Sequence, residues 1–222
     1  DALPIYLMTG MMPSGVPAGP RQSPQCPPGF PPARPGPQNA RMPTPTWPPV
    51  RTGLIGFGYA GRTFHAPLLR TTPGLALVAV ASSQAAAVQA ALGPQVAVEP
   101  DAAALLRRDD IELVVIATPN DSHHPLALAA LRAGKAVVID KPMALDAAQA
   151  AELVAEAQAH GQLLSVFHNR RWDGDFLAVR ALLDSGELGR VTQVRMHFDR
   201  YRPLVRSRWR EADTTAGGLW ID

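Results

Sequence analysis

From residue 51 onward, short apolar runs alternate with longer stretches rich in Ala and Leu. The runs Thr52–Gly56, Leu75–Ser82, Val96–Val98, Leu113–Thr118, Ala136–Asp140 and Leu163–Phe167 predict strands. Within them, Leu113-Val114-Val115-Ile116-Ala117 has no polar position. Such a run fits a strand covered on both faces of a parallel sheet. The stretches Arg62–Arg70, Gln84–Leu92, Asp101–Arg107, Ser122–Ala133 and Asp146–His160 predict helices. Asp101, Ser122 and Asp146 stand where an N-cap belongs, and Gly93, Gly134 and Gly161 stand just past the helix ends. Repeated βα units with right-handed crossovers give an α/β fold built on a doubly wound parallel sheet.

The first 49 residues break this alternation. They hold 15 of the 23 prolines, no lysine and little apolar periodicity. Such a segment buries too little surface to offset chain entropy and is expected to be disordered. Met42, shortly before the first strand, suits a natural start, with residues 1–41 an over-extended reading of the gene. The alternative is an interaction tail: Pro28 to Pro31 and Pro32 to Pro35 fit the P-x-x-P pattern of polyproline II ligands. A non-catalytic nucleotide-binding module with a recruitment arm would follow from that alternative.

Composition narrows the field further. A chain of 222 residues allows one or two domains. The formal net charge of +2 offers no nucleic-acid footprint. Cys26 is the single cysteine, so an internal disulfide is excluded. No apolar run is long enough for a membrane span and no secretory pattern opens the chain. The cytoplasm is the expected location, and no set of metal ligands is assigned.

The first predicted strand runs into Gly56-Phe57-Gly58-Tyr59-Ala60-Gly61, a G-x-G-x-x-G turn before a helix. In this corner the first glycine permits the turn, the second admits a pyrophosphate to the backbone, and the third lets helix and strand pack closely. On the first βα turn of such a sheet the motif marks a Rossmann dinucleotide site. The end of the second strand, where an acid would bond the ribose of NAD, reads Ala81-Ser82-Ser83-Gln84. Ser82 and Ser83 can donate to a 2′-phosphate and repel nothing. NADP is therefore preferred to NAD, unless the serines only cap the next helix.

Ligands bind beyond the carboxyl ends of parallel strands. There the chain places Thr118-Pro119-Asn120-Asp121-Ser122-His123, then Asp140-Lys141-Pro142, then His168-Asn169-Arg170-Arg171-Trp172-Asp173. Lysine is scarce here, with two against 19 arginines, so Lys141 is a candidate cation for a reacting oxygen. Asn169, Arg170, Trp172 and Asp173 fit a polyol pocket, with a salt-bridge cluster at a domain junction as the alternative. His168 is a candidate base or a satisfied strand-end histidine. His65 is more readily structural or cofactor-adjacent.

Taken together, Gly56–Gly61 with Phe64-His65-Ala66-Pro67, Thr118-Pro119-Asn120 with His123, and Asp140-Lys141-Pro142 resemble the glucose–fructose oxidoreductase/inositol dehydrogenase/MocA family. Ser165 to Asp173, Asp199 to Pro203 and Arg208 to Glu211 resemble its scyllo-inositol dehydrogenase branch. The resemblance implies a Rossmann domain over 50–167 and, over 168–222, the truncated start of an α/β substrate and oligomerisation domain. It implies hydride transfer between nicotinamide and a polyol, cyclitol or sugar hydroxyl carbon, in a homo-oligomer. It further implies that Thr118, Pro119, Asn120 and His123 line the cofactor, that Asp140 borders it, and that Lys141 is the active-site lysine. The family triplet is Glu-Lys-Pro, so Asp140 is a shorter carboxylate. Asp222 matches the first residue of the family's Asp-x-Gly-x-His motif, whose acid/base histidine would fall four residues on. The 222-residue piece is expected to hold cofactor and turn over little.

Overall fold

The computed structural model describes residues 6–7, 47–197, 201 and 203. Asp222, and the expected disorder of 1–5 and 8–46, lie outside those residues. The described chain forms two compact units, divided between Asn169 and Arg170.

The first unit holds six strands: β1 (Val50–Ile55), β2 (Leu75–Ala81), β3 (Ala97–Glu99), β4 (Leu113–Ile116), β5 (Ala136–Asp140) and β6 (Leu164–Phe167). They lie in the order β3-β2-β1-β4-β5-β6, every neighbouring pair parallel. This is the doubly wound order of dinucleotide-binding sheets, with its switch point between β1 and β4. The six predicted strands are all present, shifted by no more than a few residues.

Side-chain alternation explains the layers. Leu54, Val80 and Val115 point to one face, where they pack with Ala66 and Leu69 of helix α1 (Ala66–Thr71) and Val88 and Leu92 of α2 (Ala85–Leu92). Ile55, Val114, Ile116, Val137 and Ile139 point to the other. They pack with Leu105 of α3 (Ala102–Leu106), Leu131 of α4 (His123–Arg132) and Leu153 of α5 (Ala147–Ala159). Each such buried aliphatic side chain contributes about 1.5–3 kcal/mol, enough to outweigh the ordering of its own backbone. At the amino end of the sheet, the Asp110 carboxylate pairs with both Arg51 and Arg108 and is held well below the usual carboxylate range by those bonds.

Two local details depart from the sequence pattern. The helix expected from Arg62 begins with a π-turn over Gly61–His65, a wider ring that recurs at functional sites. Asp101 and Asp146 cap their helices through Ala104 N–H and Gln149 N–H, but the Ser122 hydroxyl makes no cap. It lies instead 2.7 Å from Thr118 Oγ1 and 2.6 Å from the Pro119 carbonyl.

In the second unit, α6 (Gly174–Ser185) is a helix that the sequence pattern does not predict. Its signals are Asp173 before it and the left-handed Gly186 after it. Among the described residues of this unit, Arg195–Met196 form a short strand that pairs in parallel with Tyr6–Leu7. Residues 198–200 lie outside the described residues.

Candidate active site

Because all six strands are parallel, their carboxyl ends share one edge of the sheet. That edge brings Gly56–Gly61, Ser82–Ser83, Thr118–Asn120 and Asp140–Lys141 to the same side of the molecule. An open pocket of about 310 Å³ lies there, lined by Gly56 and Gly58 after β1, Ser82, Ser83 and Gln84 after β2, Pro100 and Asp101 after β3, and Thr118 after β4.

The glycines shape it differently. Gly56 has φ +96°, and a Cβ there would come 2.5 Å from the Ala117 carbonyl oxygen. A Cβ on Gly61 would collide with the Gly56 carbonyl oxygen. A Cβ on Gly58 would meet nothing within 4 Å. The first and third glycines thus close the turn on itself, and the middle one bares backbone toward open space. Phe57 is buried in the core and also lines the pocket. Tyr59 is 71% exposed and meets Phe64 edge to face.

Asp101 and Gln84 line this pocket without having been singled out as ligands from sequence. The available signal was the strand order: β3 lies beside β2, so the turn after it must border the same end. The Ser82 hydroxyl accepts a bond from Gln84 N–H at 3.1 Å, a local turn before α2.

Along the edge, beyond β4 and β5, the polar groups are more enclosed. Asn120 is buried. His123 is 1% exposed, with Nδ1 2.6 Å from the Pro142 carbonyl and Nε2 2.9 Å from the Thr118 carbonyl. The β4 loop is thereby tied to the turn after β5. Asp140 Oδ1 accepts a bond from Lys141 N–H at 2.8 Å, and its Oδ2 lies 3.5 Å from His65 Nε2. His65 is 3% exposed, packs its ring on Phe167 at 4.5 Å, and makes no hydrogen bond from Nε2. The separation from Asp140 is that of an ion pair rather than a hydrogen bond. Burial opposes the charge of Asp140, yet the carboxyl stays below its ordinary value because His65, Lys141 N–H and the nearby His123 favour the ionised form.

This lowering has a stability consequence. A depressed carboxyl contributes stability that is complete above its unfolded value of about 4 and is lost as pH falls through the lower native value. Asp140→Asn is expected to flatten the fall in melting temperature below about pH 4 relative to the parent. Parallel acid slopes for the two proteins would show that Asp140 contributes nothing of the kind.

The other lysine, Lys135, is buried and donates to the Arg108 carbonyl at 2.8 Å. His168 and Asn169 end the first unit. In the second, Arg170 pairs with Asp173 at 2.6 Å, and Trp172 is 77% exposed. The expected polyol cluster is thus divided between the units, and its Arg and Asp are engaged with each other.

A family model described as an oxidoreductase family with an NAD-binding Rossmann fold matches residues 50–168, and one for the GFO/IDH/MocA C-terminal domain matches 176–222. The chain belongs to the Gfo/Idh/MocA oxidoreductase family. Among its relatives in the family, the oxidoreductase YdgJ of Escherichia coli K12 is 52% identical over 173 residues, 78% of this chain and 50% of YdgJ. The scyllo-inositol 2-dehydrogenase (NADP(+)) IolW of Bacillus subtilis is 36% identical, over 78% of this chain and 48% of IolW. A solved Gfo/Idh/MocA neighbour, the YPO2259 oxidoreductase of Yersinia pestis, superposes with a TM-score of 0.73 at 51% identity, over 78% of this chain and 49% of that one. The chain therefore spans about half the length of the curated relatives it matches. Among its described residues, no helix is long and apolar enough to cross a membrane.

Proposed function

We propose that the protein is an NADP-dependent oxidoreductase that moves hydride between nicotinamide and a hydroxyl-bearing carbon of a cyclitol, polyol or sugar, with a scyllo-inositol-like substrate. The observation that carries this is the shared strand edge. It holds an open glycine corner at 56–61 and, two strands away, Lys141 anchored by its own N–H to a partly buried carboxylate.

The residues fit a dinucleotide: Gly58 leaves the space that a pyrophosphate needs, and the pocket extends past Ser82 and Ser83 toward the adenosine end. When bound, the nicotinamide supplies the hydride acceptor or donor. Gly56, Gly58 and the backbone of Phe57, Tyr59, Ala60 and Gly61 would cradle the phosphates. Thr118, Pro119 and Asn120 would border the nicotinamide end, with His123 and Asp140 supporting them from behind. The Lys141 ammonium would hold the substrate oxygen and stabilise the alkoxide as hydride leaves its carbon. The hydroxyl proton needs an acceptor, for which Asp222 is proposed. His168, Asn169, Arg170, Trp172 and Asp173 are proposed to bind substrate hydroxyls, and the enzyme is proposed to work as a homo-oligomer in the cytoplasm.

The preference for NADP rests on two supports. No acid follows β2, and the relative IolW is named as NADP(+)-linked. Asp101, which lines the same pocket, would oppose a 2′-phosphate, but its Oδ1 is already engaged by Ala104 N–H at 2.7 Å. Calorimetric titration of the 222-residue chain is expected to give NADP(H) affinity at least about tenfold above that for NAD(H), a difference of about 1.4 kcal/mol. Tighter NAD binding would overturn the preference, and no binding of either would overturn the cofactor site.

A further inference from the structure

Both ring nitrogens of His123 lie within hydrogen-bond distance of carbonyl oxygens, one of Pro142 and one of Thr118. Carbonyl oxygens only accept. A neutral imidazole has one N–H and one bare nitrogen. With that form, a nitrogen lone pair would face an oxygen lone pair at 2.6 or 2.9 Å in a site that water does not reach. Only the doubly protonated ring donates to both.

A buried cation needs a counter-charge. The nearby carboxylate is Asp140, whose ionised form His123 favours. On the ring's own helix, His124 is turned away to pair with Glu152 at 2.9 Å. The Asp140 carboxylate is partly buried and aligned by Lys141 N–H. The cation is thus matched by the carboxylate that precedes Lys141 in sequence.

We propose that His123 is a positioning residue, an imidazolium that staples the Thr118 carbonyl to the Pro142 carbonyl and so fixes the nucleotide-facing β4 loop against the turn that carries Lys141. Thr118 lines the pocket of the glycine corner, and Pro142 follows Lys141 directly. One ring therefore sets the distance between the loop that would hold the nicotinamide end and the cation that would hold the substrate oxygen. The direction of hydride transfer tolerates little error in that distance. Its consequence for catalysis rests on the function proposed above; the protonation state of the ring does not.

The test is nitrogen NMR of the 222-residue chain labelled with 15N-histidine, at neutral pH and without cofactor. His123 is expected to show two protonated ring nitrogens, each carrying a slowly exchanging proton, and to be assigned by its loss in His123→Asn. One protonated and one bare nitrogen would overturn the inference. In the full-length gene product, His123→Asn keeps a donor for one carbonyl only. It is expected to lower kcat at least about tenfold, with a smaller change in the KM of the polyol. An unchanged kcat would also overturn it. A chain that binds no nucleotide but shows the doubly protonated ring would refute the proposed function and leave the staple standing.

Discussion

Gly61→Ala is expected to lose cofactor and stability together, whereas Gly58→Ala is expected to lose cofactor alone. The difference follows from what each new methyl group would meet. At Gly61 it would overlap the Gly56 carbonyl oxygen, a backbone atom of the same tight turn with no rotamer to escape into. The turn must open or the helix must shift, at a cost of about 2 kcal/mol or more. At Gly58 the methyl group would stand in open space, so the stability change should stay within about 0.5 kcal/mol. It would, however, occupy the volume left for the pyrophosphate, and affinity for NADP(H) should fall at least about tenfold. Chemical denaturation and calorimetric titration of the same samples separate the two effects. Equal destabilisation by both substitutions, or full binding by Gly58→Ala, would mean that the corner is an ordinary turn.

Lys141→Ala is expected to leave nucleotide affinity unchanged and to cut the turnover of the full-length gene product by about 10²–10³, or about 2.7–4 kcal/mol of transition-state stabilisation. The reason is that the ammonium acts on charge that develops as hydride leaves, not on the resting substrate. Lys141→Arg keeps the charge but replaces a compact ammonium with a broad planar fork, so it should recover only part of the rate. The measurement is NADPH formation in the presence of scyllo-inositol or a related cyclitol, with nucleotide binding followed separately. Turnover that survives Lys141→Ala would remove the lysine from the chemistry.

The parts that local pattern could reach share a cause. The central strand β4 is buried on two faces, so it is written as an unbroken apolar run and is visible without any partner. The glycine corner is visible because only glycine satisfies a φ of +96° at Gly56 and the close approach at Gly61. The helix α6 carries boundary signals of the same kind at Asp173 and Gly186, but polar residues from Asn169 to Asp173 draw attention to chemistry rather than to the helix they precede.

Sequence by itself therefore determined the βα alternation, the place of the dinucleotide corner and the family, because these rest on residues adjacent in the chain. Tertiary structure alone decided what the polar residues of the strand edge touch. His123 carries no mark in the sequence of its two carbonyl partners, five and 19 residues away. Nor does His65 show that it will face Asp140 across the end of the sheet, or Asp101 that it will line one pocket with Ser82 and Ser83. Those contacts arise from the order β3-β2-β1-β4-β5-β6, which places the ends of strands distant in sequence side by side. Hydrogen bonds and ion pairs act over a few ångströms, so their partners exist only once that order has been laid down.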